Sequence, residues 1–342
     1  MLKNSAKMMF SLILMFGTLL TISSNSWIGS WMGLEINLLA FIPLMTSTNN
    51  LMSSESSMKY FLIQALASSV LLFSVTLMLM KFNIQNSTIH YYSIDMMLMS
   101  SLLMKSGAAP FHFWFPGVME GLSWMTGFFL MTWQKIAPLI LISYVFTSSL
   151  IFFVPIILSV TIGSLGGLNQ TSLRKLMAFS SINHIGWMLS AMLADELLWL
   201  FYFSMYSFLS LALIMMFNWL QLFHFNQLFS MNMNSQTLKF FLFMNLLSLG
   251  GLPPFMGFMP KWLVIQFMTF NNQYLLMFSI TVFTLITLFF YMRMTYSAFT
   301  LSYYETNWNK IYINNLKTYV LLSTSLISLF GLPLMSLIFF VI

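Results

Sequence analysis

The chain has 342 residues, of which 59% are hydrophobic and 18% aromatic, while only 6% are charged. Soluble domains carry about 25% charged residues, so this composition excludes an ordinary soluble protein and indicates a polytopic membrane protein. The net charge of +6 would suggest a nucleic-acid partner in a soluble protein. Here the basic residues are few and dispersed, so we interpret them as topology signals and expect no nucleic-acid binding.

The chain lacks the residues that several kinds of cofactor and metal site require. The chain has no cysteine, which excludes disulfides, cysteine-ligated iron–sulfur clusters and a cysteine nucleophile. Its four histidines are scattered without metal-ligand spacing, and neither a Gly-x-Gly-x-x-Gly motif nor a Walker A loop occurs. We therefore expect this chain to bind no metal and no redox or nucleotide cofactor.

Apolar windows of about 20 residues predict an all-α membrane protein with about 11 transmembrane helices. The first window follows two lysines and resembles a signal peptide, but further spans follow and we expect it to be retained as a helix. The predicted spans are 8–23, 26–45, 58–80, 95–115, 124–146, 149–167, 172–193, 197–223, 238–269, 273–299 and 318–341.

The distribution of basic residues predicts the orientation of these spans. With the N-terminus inside, nine basic residues fall in inner segments and only Lys81 falls in an outer one. This asymmetry follows the positive-inside rule and therefore favours an inside N-terminus. The inner residues are Lys3, Lys7, Lys59, Arg174, Lys175, Lys239, Arg293, Lys310 and Lys317.

The fourth and ninth spans share a motif that interrupts a helix. A glycine is followed three residues later by Pro-Phe and then by a second proline, and the two copies begin at Gly107 and Gly251. Chance similarity between Gly/Pro-rich stretches is one explanation. The other is a transporter-like pair of inverted repeats, which is consistent with the odd number of predicted spans between the copies.

Ionisable residues lie well inside the predicted spans. On the lenient insertion scale each central charge costs about 2.5–3.5 kcal/mol, so intramembrane charges usually mark an ion or proton path. The alternative is structural, with paired charges that only clamp helices together, and Pro138 is equally consistent with a simple kink. The candidates for proton transfer are Glu35, Lys105, Lys135 and Lys261, with His184 and His112 as weaker ones, and His112 has the alternative of an interfacial position.

Lysine suits a proton relay because burial favours its neutral form, whereas a nearby carboxylate favours its charged form. A glutamate that moves relative to a buried lysine can therefore switch its proton affinity. Glu35 with Lys105 would make such a pair, and Lys135 and Lys261 would continue the path.

Several long motifs resemble a known family. "SNSWIGSWMGLEINLLAFIPLM", "LLMKSGAAPFHFWFPGVMEGLSW", "WQKIAPL" and "LLSLGGLPPFMGFMPKW" are similar to segments of the antiporter-like core subunits in the membrane arm of mitochondrial respiratory complex I. The resemblance extends in order from about residue 20 to about residue 300. It implies two inverted five-helix repeats with broken fourth and ninth helices, plus a C-terminal helix. Within one polytopic domain, 1–342, we place repeat 1 at 1–147, repeat 2 at 148–300 and the last helix at 318–341.

The resemblance also implies functional roles. Glu35 and Lys105 match the family's glutamate–lysine pair, Lys135 its central relay lysine, and Lys261 the lysine beside the second broken helix. It implies a multi-pass protein of the mitochondrial inner membrane with its N-terminus in the matrix. Expected partners are complex I chains 4L and 4, the lateral helix of chain 5, and lipids such as cardiolipin. NADH, FMN, iron–sulfur clusters and ubiquinone are expected in or at other subunits.

The expected function is therefore that of a proton-transferring subunit of NADH:ubiquinone reductase that carries no redox centre itself. Two alternatives remain at this point: a structural or assembly scaffold within the complex, and a stand-alone cation/proton antiporter.

Overall fold

The computed structural model describes residues 5–47, 50–81, 88–145, 152–229, 236–300 and 322–333. Across these residues the secondary structure is helical, and its single β-type contact is an isolated bridge between Ser172 and His224. The prediction of an all-α membrane protein is confirmed. The chain divides into two compact units, Met1–Ser149 and Leu150–Ile342, whereas the repeat boundary at 147/148 lies outside the described residues.

The first unit contains the helices of the N-terminal part of the chain. α3 packs against α2, α4 and α5, and α7 packs against α1, α4 and α6. Ser26 caps α2 by accepting a hydrogen bond from the Gly29 N–H at 3.2 Å. The helices are α1 (Ser5–Ser23), α2 (Trp27–Met45), α3 (Leu51–Lys81), α4 (Thr88–Ser106), α5 (Trp114–Gly121), α6 (Trp124–Met131) and α7 (Trp133–Val145).

The second unit contains the remaining helices. α9 packs against α8, α10, α13 and α14, and α10 also contacts α12 and α13. The helices are α8 (Phe153–Gly167), α9 (Leu173–Met192), α10 (Glu196–Leu220), α11 (Phe225–Phe229), α12 (Gln236–Gly250), α13 (Phe258–Phe270) and α14 (Tyr274–Thr300). Residues Leu322–Pro333 are also helical and apolar, and the rest of the predicted C-terminal helix, 318–341, lies outside the described residues.

Within the described ranges, six segments are long and apolar enough to cross a membrane. They are Ser5–Ser23, Trp27–Met45, Leu51–Met80, Trp124–Val145, Glu196–Leu220 and Tyr274–Ser297. Large apolar side chains on the outer face of α1, such as Met9, Phe16 and Leu19, are more than half exposed, as expected for residues that contact lipid. The total of about 11 spans stays a prediction.

The fourth and ninth predicted spans are broken where the motif indicated. α4 ends at Ser106 before Gly107, and α12 ends at Gly250 before Gly251. The described part of the fifth predicted span, 124–146, is not one continuous helix. It consists of α6 and α7, because the helix is distorted at Thr132, whose φ of −114° and ψ of −71° lie far from regular helical values.

Glycine allows close contact between neighbouring helices, as Gly33 and Gly163 show. A Cβ atom on Gly33 would lie 2.6 Å from the Thr21 side chain, where α2 meets α1. A Cβ on Gly163 would lie 2.6 Å from the backbone nitrogen of Asn183, where α8 meets α9. Gly117 has no neighbour within 4 Å of such an atom, so it does not serve this purpose. Small residues at helix contacts bring backbones together in membranes.

Candidate functional site

Glu35 lies half-buried on α2 and faces α3. The Ser68 hydroxyl of α3 donates a hydrogen bond to Glu35 Oε1 at 2.9 Å. The same hydroxyl lies 2.9 Å from the carbonyl oxygen of Ala65 in its own helix. A hydroxyl has one proton to donate, so Ser68 is placed to serve either the carboxylate or its own helix.

Lys105 lies in the last turn of α4 with only 6% of its surface exposed. This position suits a cation, because the carbonyl end of a helix is its negative pole. The Glu35 carboxylate interacts electrostatically with Lys105, although the two described side chains do not form an ion pair within 4 Å. The predicted Glu35–Lys105 partners are therefore near one another but separated.

Both broken helices end in the same hydrogen-bonded turn. At the first break, the N–H groups of Gly107 and Ala108 both donate to the Leu103 carbonyl, at 3.0 and 3.1 Å. At the second, the Gly251 N–H donates to the Leu247 carbonyl at 3.1 Å. The two glycines have φ of 75° and 85°, a conformation that glycine adopts without the steric cost of a Cβ atom.

Side chains from other helices donate hydrogen bonds to two backbone carbonyl groups at the first break. The Gln64 Nε2 group of α3 donates to the Lys105 carbonyl at 3.3 Å. The Trp114 Nε1 group of α5 donates to the Met104 carbonyl at 3.1 Å. Backbone groups inside a membrane must be satisfied by protein or by a wet cavity, and here the protein satisfies both.

Lys135 is the most deeply buried of the predicted site residues, with 1% of its surface exposed. It lies one turn after the interruption at Thr132, and its Nζ is 4.8 Å from the centroid of the Phe115 ring. An aromatic face attracts a cation more strongly when water is excluded. Pro138 lies inside α7 one turn further along and has no N–H to donate to the preceding turn.

Lys261 lies in the first turn of α13, beyond the second break, with 6% of its surface exposed. Its Nζ donates a hydrogen bond of 2.7 Å to the carbonyl of Gly250, the last residue of α12. It also lies 6.0 Å from the Trp187 ring centroid. Lys261 thus places a positive charge directly at the negative end of the interrupted helix.

The two candidate histidines have different surroundings. The Nδ1 atom of His184 on α9 is 2.9 Å from the Tyr202 hydroxyl, and its ring centroid is 4.9 Å from that of Tyr206. His112 lies between α4 and α5, and its Nδ1 is 3.2 Å from the Pro110 carbonyl in its own turn. That nitrogen must carry the proton because a carbonyl only accepts. His184 therefore belongs to a buried polar cluster, whereas His112 bonds locally.

The sequence alone did not single out three further residues of the first unit. Tyr60, Gln64 and Ser68 are buried on α3 and contact the surroundings of the predicted residues. Their only signal in the sequence is a spacing of four, which places them on one face of a helix. In the part of the chain that the structure describes, no group of three or more His, Asp or Glu side chains is arranged to hold a metal ion.

Comparison with known proteins identifies the family. The model of the NADH:quinone oxidoreductase/Mrp antiporter transmembrane family matches residues 24–287. NADH-ubiquinone oxidoreductase chain 2 of Anopheles gambiae is 55% identical over 342 residues, covering 99% of this chain and 100% of the relative. The chain belongs to the NADH-ubiquinone oxidoreductase chain 2 family. Chain 2 of Aedes aegypti is 58% identical over 344 residues, covering 100% of both chains.

Solved structures show the same fold. A chain of respiratory complex I from Thermus thermophilus, solved with bound aureothin, matches with a TM-score of 0.84 at 22% identity. The match covers 95% of this chain and 77% of that chain. The broken helices and buried lysines described above thus lie in an antiporter-like membrane fold.

Proposed function

We propose that this chain transfers protons through Glu35, Lys105, Lys135 and Lys261 while complex I oxidises NADH. The chain is a core membrane subunit of that enzyme, the proton-pumping NADH:ubiquinone oxidoreductase, because it belongs to the chain 2 family. Membership in this family, together with several apolar helices, also makes it a multi-pass protein of the mitochondrial inner membrane.

The burial of Lys135 carries the proposal. An ammonium group with 1% exposure lies beside an interruption in its own helix and is shielded by protein rather than facing lipid. Such a charge is expensive in a membrane, at about 2.5–3.5 kcal/mol even on the lenient scale. A residue needed only for packing would be cheaper as methionine or leucine, so the cost favours a role for the charge itself.

The proposed path begins at Glu35 and Lys105. A proton that enters near the Glu35 carboxylate changes its charge and with it the electrostatic support for the ammonium form of Lys105. Lys105 then releases its proton towards Lys135, which Phe115 stabilises as a cation. Transfer onward to Lys261, release to the other side, and coupling to ubiquinone reduction in other subunits complete the proposed cycle.

The same proposal includes orientation, partners and cofactors. The nine-to-one distribution of basic residues supports an N-terminus in the matrix. We propose contacts with chains 4L and 4, with the lateral helix of chain 5 and with cardiolipin. We assign NADH, FMN, the iron–sulfur clusters and ubiquinone to other subunits, since this sequence has no cysteine and no nucleotide motif.

Replacing Lys135 by Met in the assembled complex tests the path. We expect NADH oxidation to continue with a lower ratio of protons pumped to electrons transferred, measured in sealed vesicles. Lys59→Met is the matched control, because that lysine is 55% exposed and pairs with Glu55 at 2.6 Å. An unchanged ratio in assembled Lys135→Met enzyme would refute the relay role of this lysine.

A scaffold role has one observation in its favour, which concerns Lys261. Its hydrogen bond to the Gly250 carbonyl is a structural helix cap as well as a position for a proton carrier. If capping is its whole function, Lys261→Gln will impair assembly or stability but leave the pumping ratio of assembled enzyme normal. A lower ratio in fully assembled enzyme would instead favour proton transfer.

A further inference from the structure

One face of α3 reaches the surroundings of Glu35, Lys105 and Lys135, the three residues of the proposed path that lie in the first unit. Ser68 donates to the Glu35 carboxylate, Gln64 to the Lys105 carbonyl, and Tyr60 to the side-chain oxygen of Gln134. Gln134 is the residue directly before Lys135 in the sequence. The three α3 side chains are spaced four apart, so they lie along one face over about 12 Å of helix.

We propose that Tyr60, Gln64 and Ser68 form a positioning stripe. This stripe fixes the relative positions of Glu35, Lys105 and Lys135 for proton transfer. This inference rests on the proposed function, since it concerns the same proton-transferring residues. It adds three residues that neither carry the transferred charge nor belong to the predicted site.

The geometry of Ser68 allows it to follow the charge of Glu35. Its hydroxyl lies 2.9 Å from both Glu35 Oε1 and the Ala65 carbonyl, so rotation about one bond moves its proton from one acceptor to the other. When Glu35 is ionised, the hydroxyl donates to the carboxylate. When Glu35 is protonated, the acid donates to the Ser68 oxygen while Ser68 donates to Ala65, so no donor is lost in either state.

Gln64 fixes the end of α4 without using the ammonium group of Lys105. The helix ends at Ser106, so the Lys105 carbonyl has no helical N–H, and a neutral amide caps it instead. At the second break a lysine performs the corresponding task, since Lys261 caps Gly250. The amide at the first break leaves the positive charge of Lys105 available to respond to Glu35.

Tyr60 links this arrangement to α7. Its ring packs at 5.4 Å from the Phe41 ring and 5.8 Å from the Trp114 ring, and its hydroxyl donates to Gln134 Oε1 at 3.4 Å. The Gln134 Nε2 atom is buried and has no hydrogen-bond partner among the described residues. A buried donor without a partner costs free energy. This cost favours a state of the transfer cycle in which the Gln134 amide gains a partner.

The test compares Ser68→Thr with Ser68→Val in the assembled complex, because the two replacements have the same shape and differ only in the hydroxyl. We expect the threonine variant to pump normally and the valine variant to transfer protons about tenfold more slowly, as expected when a carboxylate loses one hydrogen bond. Ser74→Ala is the control, because Ser74 is also buried on α3 but, among the described residues, its hydroxyl bonds to Leu71 in the same helix. Equal pumping by the Thr and Val variants would overturn the proposal.

Two further arms separate positioning from packing. In a Glu35→Gln background, Ser68→Val should cause no additional loss, whereas a purely structural effect would add to it. Tyr60→Phe keeps the ring contacts and removes the hydroxyl, so we expect slower pumping with normal assembly; Tyr144→Phe, at an exposed tyrosine, is its control. If Lys135→Met lowers the pumping ratio but these variants do not, only the positioning stripe is wrong. If Lys135→Met has no effect, the proposed function itself fails.

Discussion

Alanine substitutions at the two helix-ending glycines, Gly251 and Gly107, should destabilise the protein unequally. Both residues have positive φ, of 85° and 75°, so a Cβ atom strains the backbone at either site by about 1–2 kcal/mol. At Gly251 that atom would also lie 2.9 Å from Lys261 Nζ and 3.0 Å from Lys261 Cδ. The ammonium group must then move away from the Gly250 carbonyl. Loss of this hydrogen bond should lower the stability by about a further 1.5–3 kcal/mol, as for other hydrogen bonds to charged groups.

The atoms nearest to an added Cβ at Gly107 belong to the side chains of Phe115 and Trp114, at 3.2 and 3.3 Å. Those contacts require shifts of a few tenths of an ångström and involve no charged group. We therefore expect Gly251→Ala to lose more stability than Gly107→Ala, measured as the midpoint temperature at which this chain dissociates from the purified complex. In a Lys261→Ala background the difference between the two glycines should disappear. Equal midpoints for Gly251→Ala and Gly107→Ala with Lys261 present would refute the reasoning.

Two other substitutions test the packing around the site. Phe115→Leu removes the aromatic face beside Lys135, and a desolvated cation–π contact contributes about 2 kcal/mol. We therefore expect assembled enzyme to show a lower ratio of protons pumped to electrons transferred. A normal ratio would show that the ring only fills space. Gly163→Ala forces a Cβ atom to 2.6 Å from the backbone nitrogen of Asn183, and backbone atoms cannot move aside as a flexible side chain can. Native gels of this variant should therefore show less assembled complex. Gly117→Ala, whose Cβ would have no neighbour within 4 Å, should assemble normally.

The features that the sequence determined by itself are those with a local or compositional cause. A membrane class follows from 6% charged residues, and the helix breaks follow from glycine and proline at Gly107 and Gly251, whose backbone requirements do not depend on distant neighbours. Buried charge is likewise visible in the sequence as a lysine within an apolar span, and the structure finds Lys105, Lys135 and Lys261 buried.

Tertiary structure decided which groups these residues meet, because a helical sequence specifies the spacing along one face but not the helix that covers that face. In the sequence, Tyr60, Gln64 and Ser68 show only the four-residue spacing of any helix face. Their hydrogen-bond partners come from α2, α4 and α7, which the fold brings against that face. The interruption at Thr132 could not be predicted from the sequence, because it lies in an apolar run with no glycine or proline at the break. Lys261 shows the distinction most clearly, since its burial was predictable but its hydrogen bond to Gly250 exists only because the chain folds back across the break.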